Sequence, residues 1–214
     1  VPYLSRVIGV EGYGKIAFAS AVMVWVQTVA DWGFLLTATR DVAKCRDNKA
    51  EVSRIFSETF FARCLLAIVS FIFLCLLILI VPDFKENAEI LFVTFLMIPG
   101  YIMFPDWFFQ AIERMRYTTI TNLLVKTIFT VAVFIFIKEK GDYIIVPLLA
   151  SLGTVAAGII AMYLILKKWD YSLHRVSFHS VILAIKRSTD VFINNLFPNL
   201  YNSLSVVLLG IYDG

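Results

Sequence analysis

Charge, histidine and cysteine are all scarce in this chain of 214 residues: Asp, Glu, Lys and Arg together make 16%, and there are 2 His and 3 Cys. Both histidines, His174 and His179, lie in one stretch near Arg175 and Lys186, where a solvated role suits them. No HExxH sequence and no Gly-rich phosphate loop occurs, so the motifs of zinc hydrolases and P-loop enzymes are missing. Cys45, Cys64 and Cys75 have neither metal-ligand spacing nor an evident disulfide framework and read as small packing residues. No cofactor or catalytic constellation is expected. The formal net charge of +3 gives no reason to expect a nucleic-acid partner. Alternating strands of about ten residues are also missing, which argues against a membrane β-barrel.

What is abundant is apolar. A hydrophobic fraction of 60% with 19 Phe and a mean hydropathy of +0.82 exceed what a soluble domain of this size can hide, so the lipid bilayer is the first partner. Cys64 to Val81, Tyr143 to Leu166 and Val191 to Tyr212 each run without an ionisable Asp, Glu, Lys or Arg for long enough to cross a bilayer core of about 30 Å. The fold class is all-α, a polytopic transmembrane bundle. Six spans are expected, near Ile16 to Leu36, Thr59 to Val81, Ala88 to Phe109, Tyr117 to Ile137, Tyr143 to Leu166 and Asp190 to Tyr212. Pro99-Gly100 and Pro105-Asp106 interrupt the third. Val1 to Gly14, with Pro2 and three glycines, suits a loop or helix end, and Arg40 to Glu58 a polar connection. A first residue other than Met and an end directly after an apolar run predict a piece of a longer protein, with one more span before Val1.

Lys and Arg are distributed unequally between alternate connections. One set holds Arg40, Lys44, Arg46, Lys49, Arg54, Arg114, Arg116, Lys167, Lys168, Arg175, Lys186 and Arg187; the other holds Arg6, Lys15, Lys85, Lys138 and Lys140. The richer set is expected to face the cytoplasm. Gly153, Ala157 and Ala161, four residues apart, predict a close packing face on the fifth span. Trp107, Phe108, Phe109, Trp169 and Tyr171 suggest anchors at the membrane interface.

Function has to be sought in the exceptions to hydrophobicity, because ionisable groups at membrane depth are costly and usually face an interior or a wet cavity. Asp31 shares a face with Gln27, with Arg40 beyond it; a buried acid can carry a proton, bind a sodium ion or pair with a base. Asp106 follows Pro105, where a disrupted helix can open a cavity. Arg63, within a turn of its span's cytoplasmic end, is expected to snorkel to the interface. Lys126 lies within its span on one face with Asn122 and Thr130, and this stripe is expected to look inward, as a packing contact or a cationic lining. Asn195, Asn199 and Asn202 make an amide face beside Pro198, suited to sugar hydroxyls or to packing between helices.

Two ordered blocks carry a family resemblance along the whole chain. The first is Pro2 to Gly9 (PYLSRVIG) with Gly12-Tyr13-Gly14, followed by Asp31-Trp32-Gly33-Phe34 and Ala38 to Lys44 (ATRDVAK); the second is Pro105 to Tyr117 (PDWFFQAIERMRY). Together they resemble bacterial polysaccharide flippases of the MOP exporter superfamily, the O-antigen and related repeat-unit transporters. The resemblance implies a MATE-like, two-lobed protein of about twelve spans. Residues 1–166 would be the remainder of a first lobe lacking its first helix, 167–190 a cytoplasmic inter-lobe linker, and 191–214 the opening helix of a second lobe. It further implies a non-enzymatic protein of the bacterial inner membrane that moves undecaprenyl-diphosphate-linked oligosaccharide to the periplasmic leaflet, alongside other polysaccharide-assembly proteins. In that scheme Arg6, Arg40 and Lys126 attract the headgroup, Asn122, Asn195 and Asn199 line its path, and Asp31 and Asp106 serve ion coupling or charge pairing.

Two other readings compete. A multidrug exporter of the same superfamily would favour an acid-rich cavity, against which Lys126 weighs. A polysaccharide polymerase would need a large external loop, yet Pro82 to Asn87 and Lys138 to Asp142 are short, and a membrane acyltransferase would need an intramembrane histidine.

Overall fold

The computed structural model describes residues 2–194, and among them every regular element is helical. Five stretches are long and apolar enough to cross a membrane: Gly9–Lys44, Lys49–Ile80, Ala88–Ala111, Met115–Phe136 and Lys140–Lys168. The chain is a multi-pass membrane protein. The sixth expected span begins at the end of the described residues and continues beyond them.

The elements in order are α1 (Pro2–Val7), α2 (Gly9–Asp31), α3 (Phe34–Lys44), α4 (Lys49–Ile80), α5 (Pro82–Glu86), α6 (Ala88–Phe95), α7 (Met97–Met103), α8 (Asp106–Ala111), α9 (Met115–Phe136), a 3-10 turn at Lys140–Ile144, α10 (Ile145–Tyr163) ending in a π turn at Leu164–Lys168, and α11 over 178–194. The expected loop or helix end and the expected polar connection are both largely helical. Val1 to Gly14 contains α1 and the start of α2, hinged at Gly9 (φ +74°). Arg40 to Glu58 is helix apart from the turn between Lys44 and Lys49, because the Asn48 side chain accepts from the Glu51 N–H and caps α4. The stretch 167–190 is the π turn, an irregular run over 170–177 and the first part of α11.

Two spans are broken where the backbone chemistry requires it. Trp32 (φ 40°) and Gly33 (φ +77°) both adopt the left-handed region and separate α2 from α3. In the third span Pro99 supplies no N–H and its ring crowds the carbonyl of Phe95, so the helix re-forms only at Met97. Phe104, placed before Pro105, is pushed out of helical geometry (φ −102°, ψ 85°), and α8 restarts at Asp106.

Packing is closest between α7 and α10. A Cβ at Gly100 would stand 2.5 Å from the Thr154 carbonyl carbon, and one at Gly158 would stand 2.8 Å from the Gly100 oxygen. The expected small-residue face is split: Ala157 and Ala161 are buried, Gly153 meets Val125 of α9, and Gly158 makes the tightest approach.

One apolar cluster, at the end carrying the Lys-rich connections, is centred on Phe56, Phe108 and Phe109 and takes in Phe34, Val52, Ile165 and Trp169. The aromatic block at 107–109 is thus core rather than interface anchor, with Trp107 3% exposed and Phe108 fully buried. Trp169 stands edge-on to Phe109 and Tyr117, with Arg114 4.6 Å over its face. A second cluster around Met23, Leu74, Leu91 and Ile98 fills the middle of the bundle. A third, with Ile8, Val133, Ile137 and Val146, closes the other end, where the Tyr3 hydroxyl donates to the Ile137 carbonyl (2.9 Å).

Candidate functional site

Two charged side chains meet, with a third nearby, where the two broken spans flank α4. Asp31 is the last residue of α2, Asp106 the first of α8, and Arg63 projects from α4. Asp31 precedes the end of α3 by about as many residues as Arg63 follows the start of α4, so the antiparallel pair sets both at one depth. Arg63 Nη2 donates to Asp31 Oδ1 at 2.5 Å. Arg63 is 5% exposed, and its Nε and Nη1 are buried without a hydrogen-bond partner among the described residues. It does not snorkel: one ion pair holds it within the protein. The Asp31 side chain keeps 41% exposure, which leaves the pair open on the carboxylate side.

Asp106 is exposed and has no ion pair among the described residues, yet it lies near enough to feel the charges of both Arg63 and Asp31. Tyr101, on α7 just before the second break, is near both carboxylates. Irregular backbone at membrane depth is tolerated where it is buried in protein or lines a wet cavity, and here the α2–α3 and α7–α8 breaks each adjoin an acid. Thr39 ties the half-helices α3 and α8 together by donating to the Trp107 carbonyl (3.1 Å).

Around this centre, α11 seals the α2–α3 break. Trp32 stacks on Phe192 with ring centroids 3.9 Å apart, and its Nε1–H donates to Thr189 Oγ1 (3.2 Å). The Thr37 and Ser188 hydroxyls share a buried hydrogen bond of 2.7 Å. A Cβ at Gly33 would stand 3.0 Å from Val191 Cγ1 and 3.1 Å from the Phe192 nitrogen, so glycine is needed there for space as well as for its left-handed φ. Upstream, the irregular run is pinned to α4: the Ser172 N–H donates to Ser53 Oγ (3.1 Å) and the His174 N–H to Ser57 Oγ (2.9 Å). Serine at 53 and 57 in a helix carried no signal in sequence until these backbone partners were in place.

The other candidates do not converge on this centre. Arg6 is exposed at the end of α1, and Arg40 is exposed at the opposite end of α2–α3, paired with Asp41 at 3.1 Å. Asn122, Lys126 and Thr130 do share a face, but the stripe is exposed on α9; the buried positions of that helix are Thr121 and Val133. Among the described residues nothing covers this stripe. Asn195, Asn199 and Asn202 lie outside the described residues.

Surface hollows lie elsewhere as well. An apolar groove of about 460 Å³ between α2 and α4 is lined by Val22, Trp25, Val26, Phe73, Leu77 and Phe84. A polar one of about 340 Å³ gathers Gly9, Glu11, Lys15, Lys140 and Tyr143, with Lys15 held by Glu11 at 3.0 Å.

Comparison with known proteins assigns the family. A curated relative from Escherichia coli (strain K12), named "Putative O-antigen transporter", is 31% identical over 213 residues, covering 100% of this chain and 51% of its own. A relative of the same name from Shigella dysenteriae is 24% identical over 214 residues, covering 100% of this chain and 54% of its own. The chain thus spans about half the length of the curated relatives it matches. No solved structure matches it. The family model described as "Polysaccharide biosynthesis protein" matches residues 1–214, from one end of the chain to the other, and the chain belongs to that family.

Proposed function

We propose that this chain is half of a transporter that moves undecaprenyl-diphosphate-linked oligosaccharide repeat units, of O-antigen or a similar polysaccharide, from the cytoplasmic to the periplasmic leaflet of the bacterial inner membrane. The observation that carries the reading is the buried Arg63 beside Asp31 at a helix break, with a second acid at a second break, in a chain of this family. Transporters place discontinuous helices and intramembrane charge where substrate and coupling ion bind. An enzyme of the same pathway would need a constellation of nucleophile and base, and the central charges here are two acids and one arginine.

The residue roles follow as parts of this proposal. Exposed Lys126, with Asn122 one turn away, offers a cation and an amide to a diphosphate sugar headgroup. Arg6 and Arg40 stand at opposite ends of α2–α3, where an anionic headgroup enters or leaves. Asn195 and Asn199 extend the polar wall. Residues 1–166 belong to the first lobe, 167–190 connect on the cytoplasmic side, and 191–214 open the second lobe.

The test uses the full-length gene in a bacterium lacking its own repeat-unit flippase and making a matched sugar repeat. Restored surface polymer with less accumulated lipid-linked intermediate supports the reading. No restoration despite correct membrane insertion overturns it. Lys126→Ala is expected to lower surface polymer at unchanged expression.

A further inference from the structure

The polar hollow of about 340 Å³ lies where two spans begin, at the end of the bundle away from the Lys- and Arg-rich connections. The start of α2 forms one wall and the 3-10 turn at Lys140–Ile144 the other. Lys15 Nζ meets Glu11 Oε1 at 3.0 Å, one turn away on α2, and stands 5.6 Å over the Tyr143 ring. Lys140 is exposed and has no ion pair among the described residues. Its turn is fixed by the Asp142 carboxylate, which accepts from the Lys138 and Glu139 N–H groups at 2.8 and 2.9 Å. The acid two residues from Lys140 is therefore already engaged.

Ile8 gives the start of α2 no side-chain cap. The first N–H groups of a helix lack intrahelical acceptors and favour an anion. A Cβ at Gly9 or at Gly141 would meet nothing within 4 Å, so the backbone of both walls borders open space. Two ammonium groups and a helix start thus border room for one anion. Glu11 sets the second half of the chemistry, because its side chain is 85% exposed and uses only Oε1 on Lys15. A headgroup with negative charge alone would be repelled by that carboxylate, whereas a phosphodiester that carries its own ammonium finds a partner for each charge.

The surroundings suit a lipid headgroup better than a dissolved ion. Val10, beside the hollow at the start of a span, is 89% exposed. Lys15, Val22 and Val29 share one face of α2 by their seven-residue spacing, and the two valines line the apolar groove of about 460 Å³. Phe18, between Lys15 and Val22 along α2, packs edge-on to Phe84 of that groove. We propose that the polar hollow binds the phosphoethanolamine headgroup of a phospholipid in the leaflet at this end. The phosphodiester sits between Lys140, Lys15 and the start of α2, the ammonium sits on Glu11, and an acyl chain follows α2 toward the apolar groove.

The test incubates the purified full-length protein with vesicles of equal phosphatidylethanolamine and phosphatidylglycerol, extracts it in mild detergent and counts each bound lipid by native mass spectrometry. The parent protein is expected to keep phosphatidylethanolamine over phosphatidylglycerol by about fivefold, and Lys140→Gln to lower its retention by about fivefold, the scale of one partly exposed ion pair. Glu11→Gln should abolish the preference, since the ammonium loses its acceptor and Lys15 is released to the phosphodiester. Gly141→Leu, which fills the hollow at unchanged charge, should release both lipids alike. Equal retention of the two lipids by the parent, or unchanged retention in Lys140→Gln, would overturn the proposal. Displacement of the bound lipid by inorganic phosphate at equal concentration would also overturn it, marking a site for a free anion. Lys140 holds no ion pair to lose, so its variant decides by itself if Glu11→Gln fails to fold.

Discussion

At the residue scale, one arginine is decisive. A guanidinium buried at 5% exposure is tolerated only because Asp31 meets it, and removing one partner of such a pair leaves an uncompensated charge. Asp31→Asn is expected to destabilise the full-length protein by about 2 kcal/mol, less than the ~3–5 kcal/mol of a fully buried pair because Asp31 is partly exposed. Arg63→Leu added to it should restore most of the loss, since an apolar side chain in that place has no desolvation cost. Thermal unfolding in detergent measures both, and a double variant less stable than Asp31→Asn would contradict the pairing. Asp31 and Arg63 both stand out in sequence as charges within apolar runs, but not as partners of each other. The nearness of Arg63 to a charged stretch suggested snorkelling, and only the matched depths of two antiparallel helices reveal the pair.

At the element scale, breaks and close approaches decide the shape. Gly100→Ala would drive a methyl into the Thr154–Val155 backbone, which cannot yield as a side chain can, so a loss of about 1–3 kcal/mol or more is expected. Gly14→Ala, with nothing within 4 Å of the added carbon, should be close to neutral, and the difference in melting temperature between the two checks the α7–α10 packing. Ser53→Ala with Ser57→Ala should free the run over 170–177 and speed tryptic cleavage at Arg175, read by gel after limited digestion.

Apolar runs and the proline-linked breaks are legible because each acts through its own backbone or a short period, whereas the small residues of α10 divide between two neighbours. The polar connection expected over Arg40 to Glu58 holds the α3–α4 turn but is mostly helix, since charge marks the end of the membrane and not the end of the helix. The aromatic block at 107–109 was misread because aromatic residues suit an interface and a core alike, and only α4 and Trp169 packed over them settle which. The spacing of Lys126 with Asn122 and Thr130 puts them on one face, as the structure has it, but periodicity does not say what covers that face.

At the scale of the whole molecule, the Lys- and Arg-rich connections gather at one end. Arg46 of the α3–α4 turn reaches Glu113 of the α8–α9 turn at 2.7 Å, Arg114 covers Trp169, and Lys49 lies 6.0 Å over Tyr171. At the other end α1 meets α9 and Lys15 covers Tyr143 at 5.6 Å. This end-to-end charge difference predicts the first set on the cytoplasmic side. Trypsin should therefore cut at Arg175 in inverted vesicles and spare it in intact cells stripped of their outer membrane.

The central claim is that the full-length protein carries lipid-linked oligosaccharide between leaflets, and the most direct measurement is in proteoliposomes. With the glycolipid in both leaflets, a sugar-cleaving enzyme added outside measures how much becomes accessible under an imposed ion gradient. The account predicts that nearly all of the glycolipid becomes accessible with the intact protein, and only the share already outside with Arg63→Leu. Accessibility equal to that of protein-free vesicles, with the protein folded and correctly inserted, would contradict it.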